Sequence, residues 1–335
     1  RSWMPALRHL SLYDDIEIPE PPTLFDKWTD NAPGARQQEL EIDRHMELNY
    51  DLFVDLTPEF NQERSQKAQD RSAWRNMKRM TPKQINTWRS HYKPKDAAFK
   101  KGKLSGKDLI RWKFQRYAKN YLRCVKGVDE SLHTLQEELR KLGLDKNTIV
   151  IYSSDQGFYI GDHGWYDKRW MYEESLKMPL IVKWPGTIKA GSKQEEMVQN
   201  LDYAQTFLDL AGAPQPKDMQ GRSIVPLLKG EKWDNWRKEI YYHYYEYPSV
   251  HMVPRHYGIR TNRYKLMHFY EFGDEWEMYD LKKDPDEVTN IYGKEEFLEL
   301  QKSLKKRLKN LQKFYDDQSD ISVRPEYIEK YRKKS

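Results

Sequence analysis

Residues 147–175, NTIVIYSSDQGFYIGDHGWYDKRWMYEES, constrain this chain more than any other stretch. The run 148–152 is apolar and β-branched, with no polar/apolar alternation. That pattern predicts a strand covered on both faces, as in a parallel sheet. It breaks abruptly into Ser153, Ser154, Asp155, Gln156 and Gly157. In open α/β sheets, ligand groups gather beyond the carboxyl ends of strands. A carboxylate, a neighbouring carboxamide and a permissive glycine make a corner for a hard cation. Their oxygens suit calcium or magnesium rather than a soft metal. Taken alone, Asp155 more simply caps the turn.

The ordered set is more specific than its pieces. Ser154-Asp155-Gln156-Gly157 is followed by Gly161-Asp162-His163-Gly164, then Lys168, then Tyr172-Glu173-Glu174-Ser175, with Pro179-Leu180-Ile181-Val182 and Pro185-Gly186 closing it. This resembles the second active-site segment of the formylglycine-dependent sulfatases. The resemblance implies that Asp155 and Gln156 ligate calcium, with magnesium second, and that Lys168 grips the sulfate ester. Many relatives carry Asn at the second ligand position; Gln156 keeps the carbonyl oxygen on a longer arm. His163 either orients its loop or reaches the leaving oxygen. Arg255 and His256 open a strand that lines the pocket in relatives, which makes them sugar-binding candidates; the alternative is cross-strand packing. As substrate-binding residues the resemblance therefore offers His163, Arg255 and His256.

It further implies an alkaline-phosphatase-like α/β fold: a mostly parallel sheet flanked by helices, plus a smaller antiparallel-sheet carboxy-terminal subdomain with a packed helix. The boundary is expected near 232, with 1–232 in the large domain, 29–105 as an insertion in it, and 233–335 as the subdomain. The RSWMPA…LYDD opening, the Asp-Gln pair and the Gly-Trp-Tyr-Asp-Lys loop resemble bacterial N-acetylglucosamine-6-O-sulfatases acting on glycosaminoglycans such as heparan sulfate. Iduronate-2-sulfatase-like enzymes share much of this pattern.

Along the chain, prolines 5, 19, 21 and 22 exclude a continuous helix over 1–28. Pro21-Pro22-Thr23-Leu24-Phe25-Asp26 is similar to the family segment that follows a catalytic histidine, expected before Arg1, and His9 reads as surface. Residues 62–80 are expected to be helical and 46–60 to hold short strands or turns. Apolar residues at three- and four-residue spacing predict a helix over 107–144. Asp129 and Glu130 read as its solvated face and Cys124 as a buried small residue. Residues 198–212 predict a helix with an apolar face of Phe207, Leu208 and Leu210, ending at Gly212. Four alternating aromatic segments between 239 and 281 predict antiparallel strands. Met278-Tyr279-Asp280-Leu281-Lys282-Lys283-Asp284-Pro285 with Asn290 resembles the family's carboxy-terminal signature. An amphipathic helix is expected over 295–314, and a basic, frayed tail over 330–334.

Mean hydropathy is −1.01 and 33% of residues are charged, but the 23 Tyr and 11 Trp argue against disorder. The net charge of +6 is too mild, without a basic-aromatic module, to indicate nucleic acid; it is compatible with an anionic glycan or with a solvated surface. One cysteine allows no intrachain disulfide. No run of eighteen apolar residues could span a membrane. The family implies a periplasmic or secreted location.

Sulfate monoester hydrolysis needs a nucleophile, fixed positive charge on the sulfate oxygens and a proton for the leaving oxygen. The family meets the first need with a formylglycine. Cys124 lacks the C-x-P-S-x-R context for that modification. The nucleophile, an Asp-Asp pair and at least one His are therefore expected in an amino-terminal half that partners this one, and this polypeptide alone is expected to be inactive. Two rivals remain at this point: a phosphodiesterase or phosphonate hydrolase of the alkaline-phosphatase superfamily, and a non-catalytic glycan-binding fragment.

Overall fold

The computed structural model describes residues 3–29, 31, 34–55, 76–271 and 273–317. Most of the segment 62–80 and the basic tail lie outside them. Contacts divide the chain into two units: Arg1–Lys27, Glu39–Leu142 and Phe158–Asp167 form one; Trp28–Gln38, Gly143–Gly157 and Lys168–Ser335 form the other.

The first unit is built on two helices, α1 (Pro82–Gly102) and α2 (Gly106–Lys141). Helix α1 starts on a capping box. Thr81 Oγ1 accepts from Gln84 N at 3.3 Å, and Gln84 Oε1 accepts from Thr81 N at 2.8 Å, which satisfies two orphan donors reciprocally. Helix α2 appears where periodicity placed it, but only part of its apolar spacing is buried. Ile110, Phe114, Tyr117 and Ala118 enter the core beside Lys113, Arg116, Asn120 and Arg123, whereas Val125, Val128 and Leu135 are exposed.

The polar residues win because the irregular segments around the helix need donors. Lys113 Nζ donates to the carbonyls of Ile42, Asp43 and Met46 at 3.0, 2.7 and 3.2 Å. Arg116 donates to the Leu52 carbonyl at 3.0 Å and to Asp96 at 2.9 Å. Turns without a ladder leave carbonyls that must be paired when buried. His9 is not on the surface: it is buried, 2.7 Å from Glu130, so Glu130 is no merely solvated residue. Cys124 is half-buried.

In the second unit, β1 (Val150–Ser153) pairs antiparallel with β4 (Leu180–Lys183), Ser153 opposite Leu180. This corrects two expectations. The strand is half-buried on both faces rather than sealed, and the described residues contain no parallel pair. A run without alternation cannot distinguish the direction of its partner. The short strands β2 (Tyr159–Ile160) and β3 (Tyr166–Asp167) pair within the first unit.

Helix α3 (Asp202–Leu210) also departs from its sequence pattern. It buries Asp202, Gln205 and Thr206 and exposes Phe207. Asp202, with no exposure, takes Arg237 in a two-pronged ion pair, and also accepts from the peptide N–H groups of Gln199 and Arg222 at 2.8 and 2.9 Å.

The remainder follows the expected plan. Strands β5 (Glu239–Tyr244), β6 (His256–Thr261), β7 (Tyr264–Phe269) and β8 (Glu275–Asp280) form an antiparallel sheet in that order. Helix α4 (Leu298–Phe314) buries Leu304 and Leu308 against Ile259, Leu266 and Met278.

Candidate metal and substrate site

Strand β1 delivers the candidate ligands. At its end, Ser153 Oγ lies 2.8 Å from the Pro179 carbonyl and 2.7 Å from Tyr203 Oη, which stops the ladder. Asp155 follows as an exposed residue and Gln156 as a half-buried one. Asn200 Nδ2 donates to the Asp155 carbonyl at 3.2 Å, and Ser154 Oγ donates to Asp155 Oδ1 at 3.3 Å. The Asp155 carboxylate is thus held by its backbone and one hydroxyl, and stays accessible to a cation.

Gly157 explains itself sterically. A Cβ at this position would lie 2.0 Å from the Glu174 carbonyl oxygen and 2.4 Å from that of Lys177. Only glycine lets the chain press against the one-turn helix Glu173–Leu176. There, Gly157 N donates to the Ser175 carbonyl at 2.8 Å.

Lys168 is half-buried and its neighbours are bent. Asp167 has φ 71° and Arg169 φ 108°, a region that side chains other than glycine enter at a cost. Two hydrogen bonds hold the bend: Arg169 N donates to Ser175 Oγ at 3.2 Å, and Tyr242 Oη donates to the Arg169 carbonyl at 3.2 Å. The segments carrying Asp155-Gln156 and Lys168 therefore converge on the two oxygens of one residue, Ser175. Tyr172, three residues earlier, donates to Glu277 Oε2 at 2.6 Å and accepts from Asn31 Nδ2 at 2.8 Å.

The other candidates are placed differently. His163, in the first unit, is buried with its backbone at φ 55°. Its N–H donates to Thr23 Oγ1 at 2.8 Å, and its Nδ1 lies 3.5 Å from Asp26. The Pro21–Asp26 segment thus braces the Gly161–Gly164 loop, an arrangement that fixes the loop. Arg255 is buried, with Nε donating to Glu271 at 2.7 Å and its guanidinium over the Tyr270 ring. His256 has no exposure, its Nδ1 lies 2.8 Å from the Pro254 carbonyl, and its ring packs among Trp170, Tyr242 and Phe269. Burial lowers its pKa to about 3, so the ring is neutral. Both side chains are therefore in packing positions in this structure, Arg255 in its ion pair with Glu271 and His256 in the aromatic cluster.

Sequence reasoning supplied Glu173 and Ser175 as pieces of a motif without roles. It passed over Arg169, Asn200 and Tyr242. Arg169 stands beside the motif lysine, where its neighbour could have signalled it; Asn200, just before α3, and Tyr242, on β5, carry no local signal.

Comparison with known proteins gives the family and the fold. The family model described as Sulfatase matches residues 25–213, and the model described as N-sulphoglucosamine sulphohydrolase, C-terminal, matches residues 161–314. An N-acetylglucosamine-6-O-sulfatase of Bacteroides thetaiotaomicron is 46% identical over 95% of this chain and 56% of its own length. A solved structure of a protein in complex with its substrate, D-glucosamine-2-N,6-O-disulfate, superposes with a TM-score of 0.90 at 45% identity, covering 97% of this chain and 65% of that one. A putative sulfatase from Bacteroides fragilis superposes at 0.55 with 27% identity, covering 62% and 44%. The fold is that of the sulfatase and alkaline-phosphatase-like proteins. The chain spans a little over half the length of its 46% identical relative.

Proposed function

This chain belongs to the sulfatase family, and from that premise we propose that it contributes the Asp155–Lys168 half of the active site of a sulfuric ester hydrolase. The proposed substrate is a sulfated glycosaminoglycan saccharide, and the proposed bond is the 6-O-sulfate ester of N-acetylglucosamine. The observation that supports this reading is the convergence of both motif segments on Ser175. The relative's stated activity and the substrate in the superposed complex point the same way.

The family is generally formylglycine- and metal-dependent. Asp155 and Gln156 fit part of a hard-cation shell: two oxygen donors at a strand end, one of them exposed. Among the described residues, no group of three His, Cys, Asp or Glu gathers to hold an ion, so this pair would be joined by ligands from elsewhere in the protein. Calcium is our choice, because a lone carboxylate and a longer carboxamide suit its flexible shell. Such an ion, when bound, polarises sulfate oxygens and lowers the pKa of a coordinated hydroxyl.

The chain's own residues do the rest. Lys168, held between two bent residues, presents an ammonium group as a donor to a sulfate oxygen. Ser175 keeps that lysine and the ligand pair in register. His163 holds the intervening loop. Cys124 does not fit the formylglycine position, since it is half-buried and burial pushes its thiol up to about 11. The nucleophile is assigned to the partner half of the domain.

Among the described residues, no helix is long and apolar enough to cross a membrane; a periplasmic or secreted location is part of the proposal, as is the division into 1–232 and 233–335. Release of inorganic sulfate from glucosamine 6-O-sulfate saccharides by the protein carrying this chain tests the reading. Hydrolysis of phosphonate esters with no sulfate release would instead favour the alkaline-phosphatase-superfamily rival.

A further inference from the structure

Glu173 is the residue of the one-turn helix that faces away from Gly157 into the sheet. Its carboxylate is almost fully buried and meets two cations. Lys265 Nζ, on β7, lies 3.0 Å from Oε1. Arg260, on β6, forks onto both oxygens at 3.2 and 3.0 Å. Lys265 has no exposure, and its Nζ lies 2.7 Å from Glu287, whose side chain is 1% exposed. Glu287 Oε2 also accepts from the Glu173 peptide N–H at 2.7 Å. Two acidic and two basic groups thus hold the first residue of the turn, by its side chain and by its peptide N–H. Exposed Lys177 adds a third cation to the Glu173 carboxylate, at 3.2 Å.

Such a network is a poor way to gain stability alone. Removing ionised groups from water is costly, and apolar replacements are often neutral or better. What charges supply is a fixed geometry. The turn they fix is the one whose Ser175 carbonyl holds Gly157 N–H, next to Gln156, and whose Ser175 Oγ holds Arg169 N–H, next to Lys168.

We propose that Lys265 and Glu287 are positioning residues for the metal-and-sulfate corner: by locking Glu173 they set the placement of the Asp155-Gln156 ligand pair and of Lys168. The inference rests on the sulfatase reading. It gives the antiparallel sheet a second hold on the corner, beside the hydrogen bond from Tyr242 on β5 to the Arg169 carbonyl.

The test uses the intact protein and its Glu287→Gln variant, which is isosteric and removes one charge. Lys265→Met is the second, more disruptive variant. Arg263→Ala serves as control, because the Arg263–Asp280 pair at 2.7 Å lies in the same sheet without touching Glu173. Calcium affinity is measured by calorimetry alongside kcat and KM. Outer-shell partners of metal ligands typically change affinity 10–100-fold.

Glu287→Gln is expected to weaken calcium binding about tenfold or more and to lower kcat more than it raises KM. Arg263→Ala is expected to lower Tm and leave calcium affinity unchanged. A folded Glu287→Gln protein that binds calcium within about twofold of wild type and keeps its kcat overturns the proposal. If the wild-type protein takes up no calcium, the calcium assignment of this corner falls and the proposal with it, whereas calcium uptake without sulfate release overturns the proposed activity instead.

Discussion

The peptide N–H of Gly157 donates to the carbonyl of Ser175 at 2.8 Å, while the Ser175 hydroxyl accepts from Arg169 N at 3.2 Å. Two loops far apart in chemistry are thereby tied to one serine. The spacing between the Asp-Gln-Gly and Tyr-Glu-x-Ser pieces of the motif has this contact as its physical reason.

Gly157→Ala is the sharpest test of that contact. The added methyl would sit 2.0 Å from the Glu174 carbonyl, which is backbone and cannot swing aside. The turn must move, at about 1–3 kcal/mol for an overpacked site. Denaturant unfolding should show that loss, and calcium affinity should fall with it. Unchanged values in both would mean that the close approach is not maintained in solution.

Part of this was legible in the sequence and part was not. The four strands of the carboxy-terminal sheet alternate strongly and lie close to where they were predicted. Helix α2 was legible in extent but not in orientation. Lys113 and Arg116 are buried because distant carbonyls need donors, and no local periodicity records a distant carbonyl. Helix α1 lies within the 29–105 insertion and has no strong apolar periodicity to announce it; its sequence signal is the capping box at Thr81-Pro82-Lys83-Gln84, and Pro94 lies inside the helix. Helix α3 was read from its leucines, and the structure is organised by its aspartate.

That aspartate yields the next prediction. Asp202→Asn keeps the shape but leaves Arg237 buried without its counter-charge. Breaking one side of a buried pair costs about 3–5 kcal/mol. Equilibrium unfolding in urea should register a loss of unfolding free energy of that size; a loss under about 1 kcal/mol would show that water already screens the pair.

The buried His256 gives a pH dependence with a definite sign. Its folded pKa, lowered by burial to about 3, lies below the ordinary value of 6.5. The unfolded chain therefore binds the proton first as pH falls. The stability from keeping this ring neutral is complete above about pH 6.5 and is lost progressively toward pH 3. The groups around it are the Pro254 carbonyl, Trp170, Tyr242, Tyr244 and Phe269, and the titratable His243, which adds to the lowering; no carboxylate is among them. Unfolding free energy measured from pH 7 to 4 should fall less steeply in His256→Phe, by up to about 1.4 kcal/mol per pH unit. Parallel slopes would contradict the buried, neutral assignment.

Thr23→Val probes the loop that holds His163. It is nearly isosteric and removes the acceptor for the buried His163 N–H. An orphaned buried donor costs about 1–3 kcal/mol. Amide exchange at His163 should speed up accordingly, and an unaltered exchange rate would argue that Asp26 and the aromatic neighbours suffice.

The most direct measurement is sulfate release from a glucosamine 6-O-sulfate saccharide by the intact protein and by its Lys168→Ala variant. The account predicts turnover by the wild type and a fall of about 10²–10³ in kcat/KM for the variant, the usual consequence of removing one donor to a developing anionic oxygen. A wild type that releases no sulfate, or a variant within about threefold of it, would contradict the account.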